Sequence, residues 1–215
     1  SPDAHFGIDR IRYAPLNLGP IPPFEQKILS ETETEYVQID WLGTTVLRQK
    51  AAPGMYYGHL DHPVKNLADW RDYARRFEAA TPGRIPANLD AVAAELNACA
   101  SPVGVCLYPH FFRLGFYVLG MERFLLAFYD QPELIHAMFA FWSALILETL
   151  RPVLATTKID VAIFAEDLAY KAAPHISPRI YQEFWLPYQD PIVAELQRHH
   201  VPLIAMWTAG NIVAL

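Results

Sequence analysis

The sequence predicts an α/β fold with a parallel sheet. From Pro102 onwards, apolar strands alternate with longer helices, which is the pattern of βα units. The strands are predicted at 103–108, 161–165 and 202–207. All three are apolar throughout, as expected where helices cover both faces of a parallel sheet. The chemistry of such a fold is expected at the carboxyl ends of these strands.

Size and composition are those of a globular domain. The 215 residues are 53% apolar and 19% charged, enough to bury a substantial core. A formal charge of -6, with no long run of lysines or arginines, argues against binding to nucleic acid or to anionic lipid. Cys99 and Cys106 match neither a redox pair nor a zinc pattern, so a reducing compartment, the cytoplasm, is the simplest location.

Residues 1–101 are predicted to be a hairpin and helical lead-in to the βα units. Apolar and polar residues alternate at 36–40 and 44–48, on either side of a turn that contains Gly43, and this pattern predicts a β-hairpin. A cap at Asn66 and apolar residues three and four apart predict a helix, and a second, short helix is expected after Pro86. Two helices are expected, at 66–79 and 88–99.

Residues 102–215 hold the βα units, and the whole chain is expected to form one domain. A long helix is predicted at 132–150. Its most apolar run, 137–147, is 11 residues long and falls short of the roughly 20 that a bilayer span needs, so we expect a buried helix. Pro178 begins a pair of helices that Pro187 is expected to break.

Two adjacent acids, Glu166 and Asp167, directly follow the second predicted strand. Adjacent carboxylates at a water-poor strand end repel each other, so one of them is expected to serve as a general acid or base. The alternative is structural: one acid caps a turn while the other pairs with Lys171 or Arg179 to hold the loop.

Five further residues are candidates for substrate binding. His110 and Arg113 follow the first strand, where an imidazole could donate a proton and a guanidinium could hold a carboxylate. Tyr170 and Lys171 follow the acid pair, and Asn211 follows the third strand. We expect all five to face one cleft. The alternative for the first two is a loop held by aromatic packing.

Short segments spread along nearly the whole chain carry a family resemblance. They lie at residues 22–25, 62–65, 127–134, 166–171, 176–178, 187–188 and 210–212. Together they resemble the uroporphyrinogen decarboxylase superfamily, which also includes corrinoid-dependent methyltransferases. The resemblance implies a (β/α)8 TIM barrel, which takes about 250 residues when complete. The barrel is therefore expected to be incomplete at both ends of this chain.

The decarboxylase branch of this superfamily resembles the chain only in part. Its members have an arginine-rich segment, ending in Gly-Arg-Tyr near the N-terminus, that grips the carboxylates of the substrate. Nothing in residues 1–20 matches that segment. Either the segment lies outside this sequence or the substrate is not a uroporphyrinogen.

Members of the methyltransferase branch look like zinc enzymes. A His-x-Cys pair just before Gly-Asn binds the zinc, and the zinc activates a thiol as its thiolate. Trp207 and Ala209 stand at those positions. Neither side chain can bind zinc. The zinc-dependent mechanism is therefore not expected here, although methyl transfer without that metal site stays open.

The resemblance implies a cytoplasmic, metal-independent enzyme that decarboxylates a small carboxylated or tetrapyrrole-like substrate. Glu166 and Asp167 are its expected catalytic residues, and no cofactor is expected. A homodimer is the expected assembly, with no nucleic-acid or membrane partner. One alternative is a methyltransferase that uses a corrinoid and a corrinoid protein. Another is a barrel that binds a ligand without catalysis.

Overall fold

The computed structural model describes residues 5, 7, 8, 10–52 and 58–215. Contacts divide the chain into two compact units. The first unit comprises Ser1–Leu18, Ala79–Phe111 and Phe139–Leu215, and the second comprises Gly19–Glu78 and Phe112–Met138. The sequence predicts a single domain, and the division into two compact units leaves that prediction untested.

In the described residues, the strands of an antiparallel sheet come early in the chain, and helices and parallel strands follow them. The strands are β1 (Arg12–Tyr13), β2 (Lys27–Glu31), β3 (Glu35–Ile39), β4 (Thr45–Gln49), β5 (Gly58–Asp61), β6 (Val103–Leu107), β7 (Val161–Ala165) and β8 (Leu203–Trp207). The helices are α1 (Leu67–Ala74), α2 (Leu89–Ala98), α3 (Phe111–Leu119), α4 (Met121–Asp130), α5 (Pro132–Thr156), α6 (Pro178–Ile180) and α7 (Leu186–Arg198). A 3-10 turn, Arg75–Phe77, follows α1, and a π-helical turn, Tyr181–Trp185, joins α6 to α7.

The first unit is built on an open parallel sheet with the strand order β1-β6-β7-β8. The three strands predicted from their apolar runs are present, each within one residue of its predicted bounds. The α/β class with a parallel sheet is therefore confirmed. The sheet ends at β1 and at β8 in the described residues, so the closed barrel that the resemblance implies is not observed.

The core of the first unit lies between this sheet and the helices that pack on it. Side chains from β6, β7, α5 and α7 fill it. Fully buried members are Val105, Leu107, Phe139, Trp142, Ile146, Ala162, Ile192 and Leu196. The interleaving of sheet and helix residues explains why the strands are apolar on both faces.

Helix α5 is longer than the sequence pattern predicts. It runs for 25 residues, and by length and composition alone it is apolar enough to cross a membrane. The whole helix meets this length and composition test, which its 11-residue apolar run alone does not, because it extends six residues beyond its predicted end at residue 150. In its most apolar 18-residue window, 56% is buried inside the protein, as in the core helix of a globular domain.

The expected break at Pro187 does not occur. The chain continues as a helix through the π-helical turn into α7, and Pro187 lies at the first positions of α7. Pro187 cannot donate a hydrogen bond to the preceding turn, and that turn is the wider π-helical one. Ser177 caps the start of this helix by accepting a hydrogen bond from the N–H of Ile180, at 3.2 Å.

The second unit contains an antiparallel sheet with the order β2-β3-β4-β5. The predicted hairpin is confirmed as β3 and β4. At its turn, Asp40 accepts hydrogen bonds from the N–H groups of Leu42 and Thr44, and Gly43 has a φ of 82°, which favours glycine. The prediction that Asn66 caps a helix is also confirmed, since its side chain accepts from two backbone N–H groups of α1.

Candidate active site

The loop after β6 buries His110. The indole N–H of Trp142 donates to the backbone oxygen of Pro109 at 3.0 Å, and this bond fixes the residue directly before His110. The imidazole packs edge-on against Phe164, with ring centres 4.7 Å apart, and lies 4.1 Å from the ring of Phe111. Aromatic packing thus holds this histidine, as one of the sequence alternatives expects.

His110 and Glu166 form a buried pair. The Nδ1 atom of His110 lies 2.8 Å from Oε1 of Glu166, and both side chains are 0% exposed. Since a carboxylate only accepts, Nδ1–H is the donor when Glu166 is ionised. The second ring nitrogen, Nε2, is buried and has no hydrogen-bond partner among the described residues. The exits of β6 and β7 therefore share one buried polar pair.

Asp167 lies in different surroundings from Glu166. One backbone bond and one bond to a side-chain hydroxyl connect the exits of β7 and β8 on the two sides of Asp167. The N–H of Glu166 donates to the oxygen of Trp207, and the N–H of Leu168 donates to Oγ1 of Thr208, each at 2.8 Å. Asp167 is half-buried. Of the two predicted catalytic acids, it is the one with access to solvent.

The loops after β7 and β8 also join through Asn211. Its backbone N–H donates to the oxygen of Tyr170 at 3.0 Å, and its side chain donates to the oxygen of Ala172 at 3.5 Å. Tyr170 is 53% exposed. The geometry brings these two predicted substrate-binding residues together at the surface of the first unit.

The ion pairs that the structural alternative expects are not formed. Lys171 is exposed and makes no ion pair with any described residue. Arg179 lies 3.7 Å from Glu183, one helical turn along. The partner of Glu166 is His110 instead, because Glu166 points into the core.

Arg113 belongs to the second unit, unlike the other predicted site residues. It lies on α3, where its guanidinium donates to the hydroxyl of Tyr117 at 3.4 Å. Its predicted role in substrate binding stays a prediction.

Sequence reasoning missed three side chains near the buried pair. The ring of Trp185 lies 6.0 Å from that of His110, and its indole N–H donates to Oε1 of Gln189 at 2.7 Å. Tyr181 stacks on Trp185, with ring centres 5.8 Å apart. Burial raises the pKa of Tyr181 and outweighs the hydrogen bond with Gln189, which lowers it. The charges of Asp190 and Glu166 raise it further. No local pattern indicates these contacts, because they depend on the π-helical turn.

The second unit holds a separate cavity of about 520 Å³. His59 and His62 line it with stacked rings 5.8 Å apart. Burial lowers the pKa of both, and the charge of His62 lowers that of His59 further. Nδ1 of His62 donates to the backbone oxygen of Tyr117 at 2.8 Å. None of the predicted site residues lines this cavity, so it is not the site that the strand-end acids indicate.

Comparison with known proteins identifies the family. The uroporphyrinogen decarboxylase (URO-D) family model matches residues 51–214. The chain belongs to the uroporphyrinogen decarboxylase family. The resemblance seen in the short sequence segments is thereby confirmed, and the members of this superfamily are enzymes, decarboxylases or methyltransferases.

A solved structure shares the fold of this family member. It is a methyltransferase from Methanosarcina mazei, with a TM-score of 0.53 and 15% sequence identity. The match covers 98% of this chain and 55% of that chain. The chain thus spans about half the length of the solved protein. No curated protein matches the sequence.

The residues of this family member do not fit the zinc site of the methyltransferase branch. Trp207 and Ala209, which stand at the ligand positions, offer no side-chain nitrogen, sulfur or oxygen lone pair for a metal. Nowhere in the described residues do three histidine, cysteine or acidic side chains converge on a possible metal position.

Proposed function

We propose that this uroporphyrinogen decarboxylase family member is a carboxy-lyase that acts on a small carboxylated or tetrapyrrole-like substrate. One observation carries the proposal: the half-buried Asp167 adjoins a fully buried His110–Glu166 pair at the exit of β7. Two carboxylates in unlike surroundings can take different roles in one reaction, as general acid–base chemistry requires.

In the proposed reaction, the carbon of an electron-rich ring that bears the carboxylate receives a proton from Asp167, which leaves a transient cation in the ring. The bond from the substrate to its carboxylate then breaks, the electrons of that bond return to the substrate, and CO2 leaves. The transient cation is stabilised by negative charge, which Glu166 supplies from the buried pair. The Nδ1–H of His110 holds the orientation of Glu166.

The accessible residues around Asp167 would bind the substrate. Tyr170, Lys171 and Asn211 lie on the joined loops after β7 and β8, where an ammonium and an amide can meet substrate carboxylates. His110 and Arg113 are the other proposed binding residues. We further propose that the parallel sheet is part of a (β/α)8 barrel in a cytoplasmic homodimer and that the reaction needs no cofactor.

The first prediction concerns Asp167→Asn. This variant should lose at least about 100-fold in turnover, because general acid–base catalysis typically contributes 10²–10⁴-fold. Its thermal stability should stay close to that of the wild type, since Asp167 is only half-buried. Turnover is measured as CO2 release from uroporphyrinogen III and from simple pyrrole carboxylates.

Exposed Glu183→Gln is a matched control that removes a carboxylate from the same unit without touching the site. Wild-type turnover in Asp167→Asn would remove Asp167 from the mechanism. Turnover that is lost in Asp167→Asn but kept in Glu183→Gln would also exclude a barrel that only binds a ligand.

The second candidate is a corrinoid-dependent methyltransferase. The structural match to a methyltransferase favours it, although an identity of 15% speaks only for the fold. The unsuitable side chains of Trp207 and Ala209 speak against its zinc-dependent form. Methyl transfer from methylcobalamin to a panel of thiols would support this candidate, and CO2 release without methyl transfer would exclude it.

A further inference from the structure

We infer that Thr208, the first residue after β8, is a positioning residue that acts through Asp167. Its hydroxyl holds the backbone directly after Asp167 and so fixes the place of that carboxylate at the exit of β7. The expected effect on turnover rests on the proposed function, whereas the anchoring of the loop does not.

The ladder between β7 and β8 ends beside Asp167. Ala165 pairs with Trp207 in the parallel register, and the N–H of Glu166 donates to the oxygen of Trp207 at 2.8 Å. This bond uses only backbone atoms, so every residue type except proline could donate it. It fixes the chain before Asp167, and the chain after Asp167 needs another anchor.

A side chain provides the second anchor. The N–H of Leu168 donates to Oγ1 of Thr208 at 2.8 Å. The hydroxyl of Thr208 donates its own hydrogen to the oxygen of Ala209 at 3.2 Å, so Oγ1 presents a lone pair to Leu168. Of the two bonds that flank Asp167, this is the one that depends on the type of the residue.

Leu168 is held at both of its backbone groups. The residue is buried, and its backbone oxygen accepts the N–H of His175 at 2.8 Å. Its N–H is bonded to Thr208 alone among the described residues. Without the hydroxyl at position 208, the N–H of a buried residue would lose its acceptor, and the backbone after Asp167 would have to shift to find another.

A separate bond joins the loops that are proposed to bind the substrate. The N–H of Asn211 donates to the oxygen of Tyr170 at 3.0 Å, and this bond does not involve Thr208. Loss of the Thr208 hydroxyl should therefore displace Asp167 more than the binding residues. A displaced acid lowers kcat, while binding residues that stay in place keep KM.

Amide hydrogen exchange tests the anchor without any need for turnover. Thr208→Val keeps the shape of the side chain and removes the oxygen, whereas Thr208→Ser keeps the oxygen. The N–H of Leu168 should exchange at least about tenfold faster in Thr208→Val than in the wild type, and at the wild-type rate in Thr208→Ser. The N–H of Glu166, which bonds to the backbone, is the internal control and should keep its protection.

Unchanged exchange at Leu168 in Thr208→Val overturns the inference. Equal loss of protection at Leu168 and Glu166 also overturns it, because the whole end of the sheet would then have loosened. If Thr208→Val does not fold, Thr208→Ala removes the same oxygen with a smaller side chain and gives the same comparison.

Turnover tests the positioning role. Thr208→Val should lower kcat at least about tenfold with little change in KM, because a misplacement of about 1 Å can cost about 100-fold. Thr208→Ser should keep the wild-type kcat. The matched control is Thr156→Val, which should keep wild-type values, since the hydroxyl that it removes bonds to the oxygen of Pro152 within α5.

Combining Thr208→Val with Asp167→Asn shows whether Thr208 acts through that acid. The double variant should have the residual kcat of Asp167→Asn to within about twofold, since a misplaced asparagine loses nothing further. Losses that multiply would show that Thr208 acts independently of Asp167 and overturn the positioning role, as would a wild-type kcat in Thr208→Val. If the wild-type protein releases no CO2 at all, the proposed function fails, and amide exchange still decides whether Thr208 anchors the loop.

Discussion

Glu166 and Asp167 are sequence neighbours that lie in different surroundings. Successive side chains of an extended chain point to opposite sides, so the residue after β7 turns inward and the next one turns away. Glu166 meets His110 in the core, while Asp167 stays accessible. Replacing Glu166 therefore changes packing as well as charge. A substitution at Asp167 tests a catalytic role with less disturbance of the core.

Gly210 is a second position where backbone geometry controls the site. Its φ is 78°, a conformation that side chains with a Cβ rarely adopt, and a Cβ there would lie 2.3 Å from the backbone oxygen of Tyr170. That oxygen accepts the N–H of Asn211. A side chain at position 210 would therefore separate the loops that follow β7 and β8.

Gly210→Ala should lower the free energy of unfolding by about 1–3 kcal/mol, the usual cost of such backbone strain. Urea denaturation measures this loss. The control is Gly58→Ala, since a Cβ at position 58 meets nothing closer than Leu47 at 4.0 Å, and it should change stability by less than about 0.5 kcal/mol. Equal losses in the two variants would show that the contact with Tyr170 does not matter.

At the scale of elements, Glu195 ties α7 to α5. The side chain is almost fully buried and accepts from Nε of Arg151 at 3.1 Å and from Nη1 of Arg198 at 2.8 Å. Burial by itself raises the pKa of Glu195. The hydrogen bonds from the two arginines outweigh burial, so the pKa is lowered overall. The folded state therefore favours the ionised carboxylate.

Glu195→Gln should lower the free energy of unfolding by about 1–3 kcal/mol at pH 7, because charged hydrogen-bond donors lose their partner. A lowered pKa in the folded state gives a contribution that is present above the ordinary carboxylate pKa of about 4.3 and is lost as the pH falls through the folded value. Urea unfolding between pH 7 and pH 3 should thus show the difference from wild type shrinking below about pH 4.

The control for this pH dependence is Glu183→Gln, which removes the exposed pair with Arg179. Exposed pairs contribute about 0–1 kcal/mol, so its effect should be small at every pH. A constant difference between wild type and Glu195→Gln at all pH values would contradict an ionised Glu195 in the folded state.

The elements that sequence reasoning predicted are those with one clear local signal. Strands β6, β7 and β8 are apolar runs between helices, and the turn at Gly43 specifies the hairpin of β3 and β4. Strand β2 was missed because it is exposed along its whole length and shows no buried face. Helix α3 was missed because its buried residues, including Phe111 and Phe112, lie on more than one side of the helix.

The candidate site was predictable only in part. Strand-end positions correctly brought His110 and Glu166 to neighbouring exits, since the carboxyl ends of parallel strands meet at one edge of a sheet. The inward turn of Glu166 was not predictable, because it depends on tertiary packing against His110, which lies 56 residues away in the sequence. The stacking of Tyr181 on Trp185 was not predictable because it depends on a π-helical turn.

At the scale of the whole molecule, the two sheets differ in how their edges are protected. Exposed sheet edges invite pairing with other chains, and charged side chains counteract this. Strand β2 begins with Lys27 and ends with Glu31, and Arg12 of β1 forms an ion pair with Glu95 at 2.9 Å. Strand β8 carries only apolar residues, and its ends are exposed. Among the edge strands that the structure describes, β8 alone carries no charged side chain.

Strand β8 should therefore drive self-association of the 215-residue chain. Leu203 and Trp207 are 56% and 63% exposed at its two ends. Leu203→Lys and Trp207→Lys should each raise the protein concentration at which light scattering increases, because a charge on an edge strand opposes pairing between chains. Val213→Lys is the control, since Val213 is 92% exposed but lies outside the strand. If Val213→Lys suppresses scattering as much as Leu203→Lys, general surface charge explains the effect and the edge does not. If the unmodified chain stays monomeric and unfolds cooperatively at high concentration, the open edge of β8 is no liability.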